Sequence, residues 1–199
     1  MTNQSPNHSE FEPLTRSQVL IVMGVTAVVL LIVAKIWQYF GSFSLLPFYL
    51  NTNSLLIGLG LALAIPSISS LVYHLWPAYR RSADFYLELV LKPLEWPDIV
   101  WLGLLPGLSE ELLFRGVMLP ALGGNMAAVI ISSICFGVLH FSGSQQWPYV
   151  VWASFVGMVF GVSAILTGNL FVPVIAHIIT NIISSCLWKL KHKTESSPS

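Results

Sequence analysis

Six residues carry groups that water normally solvates, yet they stand inside long apolar runs: Glu110, Glu111, Arg115, His140, His177 and Asn181. A charge at the bilayer centre costs about 2.5–3.5 kcal/mol on insertion scales, so each such residue needs a partner or a task. In the stretch Pro106-Gly107-Leu108-Ser109-Glu110-Glu111-Leu112-Leu113-Phe114-Arg115-Gly116, helical geometry sets Glu111 and Arg115 one turn and about 40° apart. That is the spacing of an intrahelical ion pair. Glu110 stands about 140° from Arg115 and is poorly placed for the same bond. The expectation is a structural pair, Glu111–Arg115, and a free carboxylate, Glu110. Pro106 removes a backbone donor and Gly107 loosens the turn, so an opening of the helix to water or substrate is expected there.

His140 ends the stretch Phe136-Gly137-Val138-Leu139-His140, and His177 stands four residues before Asn181, on the same helix face. A carboxylate, two imidazoles and an amide from three separate helices suit hydrolysis. Glu110 and His140 could hold and deprotonate a water, while His177 and Asn181 donate hydrogen bonds to a developing oxyanion. Alternatively, Glu110, His140 and His177 could bind Zn²⁺ with one position left open for water. The cofactor is therefore either none or Zn²⁺.

Plainer readings exist for each residue. A single intramembrane His more often serves helix–helix hydrogen bonding than catalysis. The whole cluster could also serve recognition in a non-catalytic immunity or scaffold protein, or a proton relay in a transporter. A transporter predicts repeated halves, and the sequence shows no internal repeat. Neither HExxH nor GxSxG occurs. Four polar groups left unpaired on three runs favour catalysis.

The elements that must position these groups follow from composition. Of 199 residues, 55% are apolar and 9% charged, against about a quarter charged in soluble domains. This excludes intrinsic disorder, and two Cys exclude a disulfide scaffold. Nine basic against nine acidic residues argue against a nucleic-acid partner. The chain reads as an all-α polytopic membrane bundle of about six spans, at 19–37, 55–76, 99–122, 126–141, 150–166 and 170–188. Pro66 is expected to kink the second span. The first run has no basic leader and ends in bulky Ile36-Trp37-Gln38-Tyr39, so it does not read as a cleavable signal. Arg16, Arg80, Arg81, Lys92, Lys189, Lys191 and Lys193 lie in segments that six spans put on one side, and they are all but two of the nine basic residues. Both termini are therefore expected to be cytoplasmic, in a bacterial plasma membrane or an organellar membrane.

Segment 81–95 is amphipathic, with Arg81, Asp84, Glu88, Lys92 and Glu95 at three- and four-residue steps. It reads equally as an interfacial helix or as a loop helix packed on the bundle. The expected organisation is a disordered tail over 1–16, a two-span region with this helix over 17–95, a four-span catalytic core over 96–188, and a polar tail over 189–199. Gly103, Gly107, Gly157 and Gly161 read as close-packing positions. Cys135 and Cys186 read as buried, and His74, Trp147, Tyr149 and Trp152 as interfacial belt residues.

Taken together, Glu110-Glu111-x-x-x-Arg115, Phe136-x-x-x-His140 and His177-x-x-x-Asn181 resemble the three-motif signature of the CPBP intramembrane proteases. That family includes the type II CAAX prenyl endopeptidases and the Abi bacteriocin-processing and immunity proteins. The resemblance covers roughly 96–188. It implies a membrane endopeptidase acting on a membrane-embedded or lipid-anchored peptide or protein. By match, Glu110 and His140 are the water-activating pair, and His177 and Asn181 the oxyanion stabilisers. Glu111, Arg115 and Phe136 fill the remaining motif positions. The family is described both as metalloproteases and as metal-free glutamate proteases.

Overall fold

The computed structural model describes residues 14–195, with side chains to residue 193. Among the described residues there is no strand. The chain forms α1 (Arg16–Phe40), α2 (Thr52–Leu75), α3 (Pro77–Leu91), α4 (Asp98–Glu111), a π-helical segment (Leu112–Met118), the short α5 (Leu119–Ala121), α6 (Met126–Val138), α7 (Trp147–Thr167) and α8 (Phe171–Glu195). A 3₁₀ turn, Ser144–Gln146, leads into α7. The protein is an all-helical bundle.

The helices start where side chains can satisfy the first orphan amides. Thr15 accepts from the Gln18 amide and Gln18 answers through the Thr15 amide, a capping box that opens α1. Asn51 caps α2 and Asn125 caps α6 in the simpler one-way form. α7 ends at Gly168, whose φ of 58° favours a residue without Cβ.

Among the described residues, four helical stretches are long and apolar enough to cross a membrane: Arg16–Phe40, Thr52–Leu75, Ser144–Thr167 and Phe171–Lys193. The other two expected spans differ for identifiable reasons. The third run is helical from Asp98 to Ala121 but changes type midway and carries Asp98, Glu110, Glu111 and Arg115. The fourth stops at Val138, so Met126–Val138 is a short apolar helix. Pro66 and Pro106 both sit inside uninterrupted helix.

The helix runs on through Pro106-Gly107, yet Pro106 lines a cavity and, having no N–H, leaves the Leu102 carbonyl to accept from Asn181 Nδ2, while the change of helix type comes one turn later. Gly107 instead lets α4 touch α8, because a Cβ there would lie 2.5 Å from Ile178 Cγ1 and 3.1 Å from the Ile178 amide nitrogen. Gly103 repeats this contact against Ile182 and the Ile178 carbonyl. The π segment Leu112–Met118 is a rare widened helix of the kind often found at functional sites. Pro120 has no N–H to offer the Gly116 carbonyl, which accepts from the Leu46 amide of the α1–α2 connection at 3.2 Å.

That connection is also held by buried Asn169, whose amide donates to the Tyr49 carbonyl and to Ser54 Oγ, both at 2.8 Å. Its carbonyl accepts from the Tyr49 and Phe171 amides. At the opposite end, Arg16 grips buried Asp98 through two bonds of 2.8 and 2.9 Å and reaches Glu95 at 3.0 Å. This clamp ties α1 to the start of α4.

α8 is the central element, packed mainly on α2 and α4, while α6 packs on α7. Leu30 and Ala34 of α1 join Leu113, Phe114, Val117, Phe136 and Ala153 in one core cluster. On the outer side of α1, Ile21, Val22, Val25, Val28, Val29 and Ile32 stay exposed, as lipid-facing positions do. The expected tail at 189–199 is helical as far as Glu195, because α8 runs on through the basic segment. Of the N-terminal tail, residues 1–13 lie outside the described residues, and Arg16 belongs to α1.

α3 carries most of the amphipathic segment. It lies against α2, α7 and α8, with Tyr79, Ser82 and Ala83 buried and Arg81, Asp84 and Glu88 outward. It is a helix packed on the bundle.

Candidate active site

A cavity of about 190 Å³ opens between α2, α3, α4, α7 and α8. Glu110, His140, His177, Asn181 and Phe136 all line it. The polar residues of three separate runs are thus brought to one hollow. Glu111 and Arg115 do not line it; both are fully buried behind.

Glu110 occupies the last turn of α4, is 8% exposed, and makes no hydrogen bond or ion pair among the described residues. Its Oε2 is sealed without a partner. A buried carboxylate left this way is costly unless something binds it.

Arg115 Nη1 donates to Glu111 Oε1 at 2.9 Å, the intrahelical pair that the spacing predicts, and Nη2 donates to the Gly157 carbonyl at 2.7 Å. Gly157 is what allows that approach, since a Cβ would lie 3.0 Å from Nη2. The guanidinium also faces the Phe136 ring at 4.5 Å.

Glu111 is not the closed pair with Arg115 that its spacing suggests. The same Oε1 accepts from His177 Nδ1 at 2.8 Å. The carboxylate can only accept when ionised, so Nδ1 carries the proton and Nε2 is the imidazole atom left for the cavity. Phe160 stacks on the His177 ring at 5.2 Å and Phe136 meets it edge-on at 5.7 Å, which fixes the ring plane.

His140 sits in the turn just past α6, where Nδ1 lies 3.0 Å from the Phe136 carbonyl. A carbonyl also only accepts, so the neutral His140 likewise keeps a bare Nε2. Phe136 therefore touches Arg115, His140 and His177 at once. Asn181 is half-buried and spends one amide hydrogen on a long contact of 3.4 Å to the Leu102 carbonyl.

No group of three His, Cys, Asp or Glu is disposed to hold a metal among the described residues. Both Nδ1 atoms are engaged, one by a carbonyl and one by Glu111, so only the Nε2 atoms and Glu110 remain as donors. These are donors of the kind zinc takes, each Nδ1–H resting on an oxygen as in zinc-bound imidazoles, but they are not gathered to ligate one ion in this arrangement.

The sequence missed the opposite wall. Tyr79, Tyr86, Tyr149 and Trp152 line the cavity. Tyr149 and Trp152 are not simple belt residues: Tyr86 stacks on Tyr149 at 4.4 Å, and Tyr79 meets Trp152 at 5.5 Å. The usable signal was the inward stripe Tyr79, Ser82, Ala83, Tyr86 at helical steps on α3. Thr180, beside Asn181, also lines the cavity, and its buried Oγ1 has no partner.

With this geometry in view, the comparisons can be placed. Residues 92–183 match the family model described as "Type II CAAX prenyl endopeptidase Rce1-like". The likeness is confined to this segment, just under half of the chain. The segment holds all three motifs, from Glu110 to Asn181. Over 96 residues the chain is also 33% identical to "Uncharacterized protein YpbD" of Bacillus subtilis (strain 168). That match covers 48% of each protein, so the chain spans about half the length of its curated relative. No solved structure matches. The Rce1-like segment supplies α4 to α7 and most of α8, while the Tyr79–Tyr86 wall comes from outside it.

Proposed function

We propose that the protein is an intramembrane endopeptidase that hydrolyses a peptide bond in a membrane-embedded or lipid-anchored substrate. The observation that carries this reading is Glu110: a buried carboxylate without a partner, sharing a cavity with two imidazoles whose Nε2 atoms are free to act. The Rce1-like match supports the reading at the level of the family.

In this scheme Glu110 and the His140 Nε2 lone pair hold a water between them. Glu110 takes one of its protons as the oxygen attacks the peptide carbonyl carbon. The carbonyl π bond opens and its electron pair becomes the oxyanion. Asn181 donates to that oxygen, and His177 donates from Nε2 when protonated. Glu111 supports the protonated form of His177 through Nδ1, with Arg115 anchoring Glu111 from behind. The oxyanion then re-forms the carbonyl, the C–N bond breaks, and the proton held by Glu110 passes to the departing amine. No oxidant or second substrate is needed.

The reading places both termini on the cytoplasmic side of a bacterial or organellar membrane, on the strength of Arg16 at the start of α1, Arg80, Arg81 and Lys92 between α2 and α4, and Lys189, Lys191 and Lys193 at the end of α8. The test of function is cleavage of a membrane-anchored peptide by purified protein in lipid, with Glu110→Gln alongside. Cleavage by the unaltered protein and loss in the variant is the expected result.

A further inference from the structure

α3 turns two tyrosines inward, two turns apart, and the bundle treats them differently. Tyr79 is 3% exposed, and its hydroxyl is bonded to Ser69 Oγ of α2 at 2.8 Å. Its phenol is spent on holding α3 against α2. Tyr86 is half-buried, lines the cavity with Glu110 and His140, and its hydroxyl makes no hydrogen bond among the described residues.

The Tyr86 ring is nonetheless firmly placed. It stacks on Tyr149 at 4.4 Å and 23°, and its centroid lies 6.0 Å from that of His140. The helix beneath it is pinned by Ser82, whose hydroxyl donates to the Gln146 carbonyl at 3.1 Å and accepts from the Tyr149 amide at 3.3 Å. Burial, and secondarily the Glu110 charge, push the Tyr86 phenol above its usual range, so it remains a neutral O–H donor. Orientation is thus fixed by the rings and by Ser82, while the donor itself is unspent.

We propose that Tyr86 is a further catalytic residue, whose phenol O–H donates a hydrogen bond to the oxygen of the peptide carbonyl as it becomes an oxyanion, from the cavity it shares with Asn181. This rests on the hydrolytic reading above and adds to it a donor from outside the Rce1-like segment. Asn181 offers a side-chain amide already drawn toward the Leu102 carbonyl, and His177 donates from Nε2 only when protonated. A neutral phenol supplies a donor whose presence does not depend on the state of His177.

The experiment uses the full chain in lipid with a membrane-anchored peptide. It compares unaltered protein, Glu110→Gln and Tyr86→Phe, the last of which keeps the ring and its stack. An interaction made only in the transition state lowers kcat with KM unchanged. A lost oxyanion donor typically costs about 10²–10³-fold, and Tyr86→Phe is expected to lower kcat by about 10²-fold without moving the thermal midpoint. A peptide aldehyde, whose hydrate presents tetrahedral oxygens, should lose affinity for Tyr86→Phe, while the matching uncleaved amide should bind as before.

If Glu110→Gln is inactive and Tyr86→Phe keeps full kcat, the donor role is overturned and the hydrolytic reading stands. If Tyr86→Phe loses thermal stability in step with kcat, the role is structural and the proposal fails. Unaltered protein that neither cleaves the peptide nor binds the aldehyde overturns both.

Discussion

Arg115 shows how much a single side chain organises. It is fully buried, donates to Glu111 and to the Gly157 carbonyl, and covers the Phe136 ring. Removing it would leave Glu111 as an uncompensated buried charge, a change that typically costs about 3–5 kcal/mol. Arg115→Ala is therefore expected to lose folded protein rather than activity alone. Unfolding in detergent followed by heat and fluorescence checks this, and an unchanged midpoint would contradict it. The pair itself was legible because an i,i+4 spacing is local. Its third member was not, since His177 lies 66 residues from Glu111 and only the packing of α8 on α4 joins them. Likewise, the convergence of Glu110, His140, His177 and Asn181 was an expectation from residue types. The oxygen partners of both Nδ1 atoms became visible only with the helices in place.

At the scale of elements, glycines set the helix crossings. A Cβ on Gly137 would lie 2.0 Å from Ser154 Oγ, 2.7 Å from the Val150 carbonyl oxygen and 2.9 Å from the Ser154 amide nitrogen. Two of those atoms are backbone and cannot rotate away. Gly137→Ala should separate α6 from α7 and destabilise the protein by about 1–3 kcal/mol, as overpacking does. Gly60, with nothing within 4 Å of its added Cβ, provides the comparison: Gly60→Ala should hold or slightly raise the midpoint, because Ala favours helix. Equal losses for the two variants would contradict the crossing assigned here. The small residues of α4 and α7 were recognisable as packing positions from their four-residue spacing. The π segment was not, although Gly116 within it and Pro120 just after it interrupt a run of ordinary helix formers. Pro106 does free a carbonyl, that of Leu102, which accepts from Asn181 beside the cavity, while Gly107 is used for contact with α8.

At the scale of the whole molecule, the cavity belongs to both halves of the chain. Ile65, Pro66 and Ser69 of α2 and Tyr79, Tyr86 and Leu91 of α3 supply walls that the Rce1-like segment lacks. A chain beginning at residue 92 would expose the α8 face that α2 covers. It should aggregate in detergent, whereas the full chain gives a monodisperse peak on size exclusion. A monodisperse, thermally stable fragment would show that the segment after residue 91 closes without α1–α3. The apolar runs and the charge distribution made the bundle class readable from composition, while the contribution of α3 to the site depended on tertiary packing. Orientation is testable separately: reporters placed after Lys193 and within 41–51 should report opposite compartments, and agreement between them would contradict cytoplasmic termini.

The central claim is that Glu110 activates water, and one substitution addresses it. Glu110→Gln keeps the size and polarity of the side chain but removes the base, a loss typically worth about 10²–10⁴ in rate. The measurement is the single-turnover rate of membrane-anchored peptide cleavage by unaltered protein and by Glu110→Gln, both in lipid and both shown folded by their thermal midpoints. A fall of that size with folding intact is predicted. Cleavage by Glu110→Gln at the unaltered rate would contradict the account.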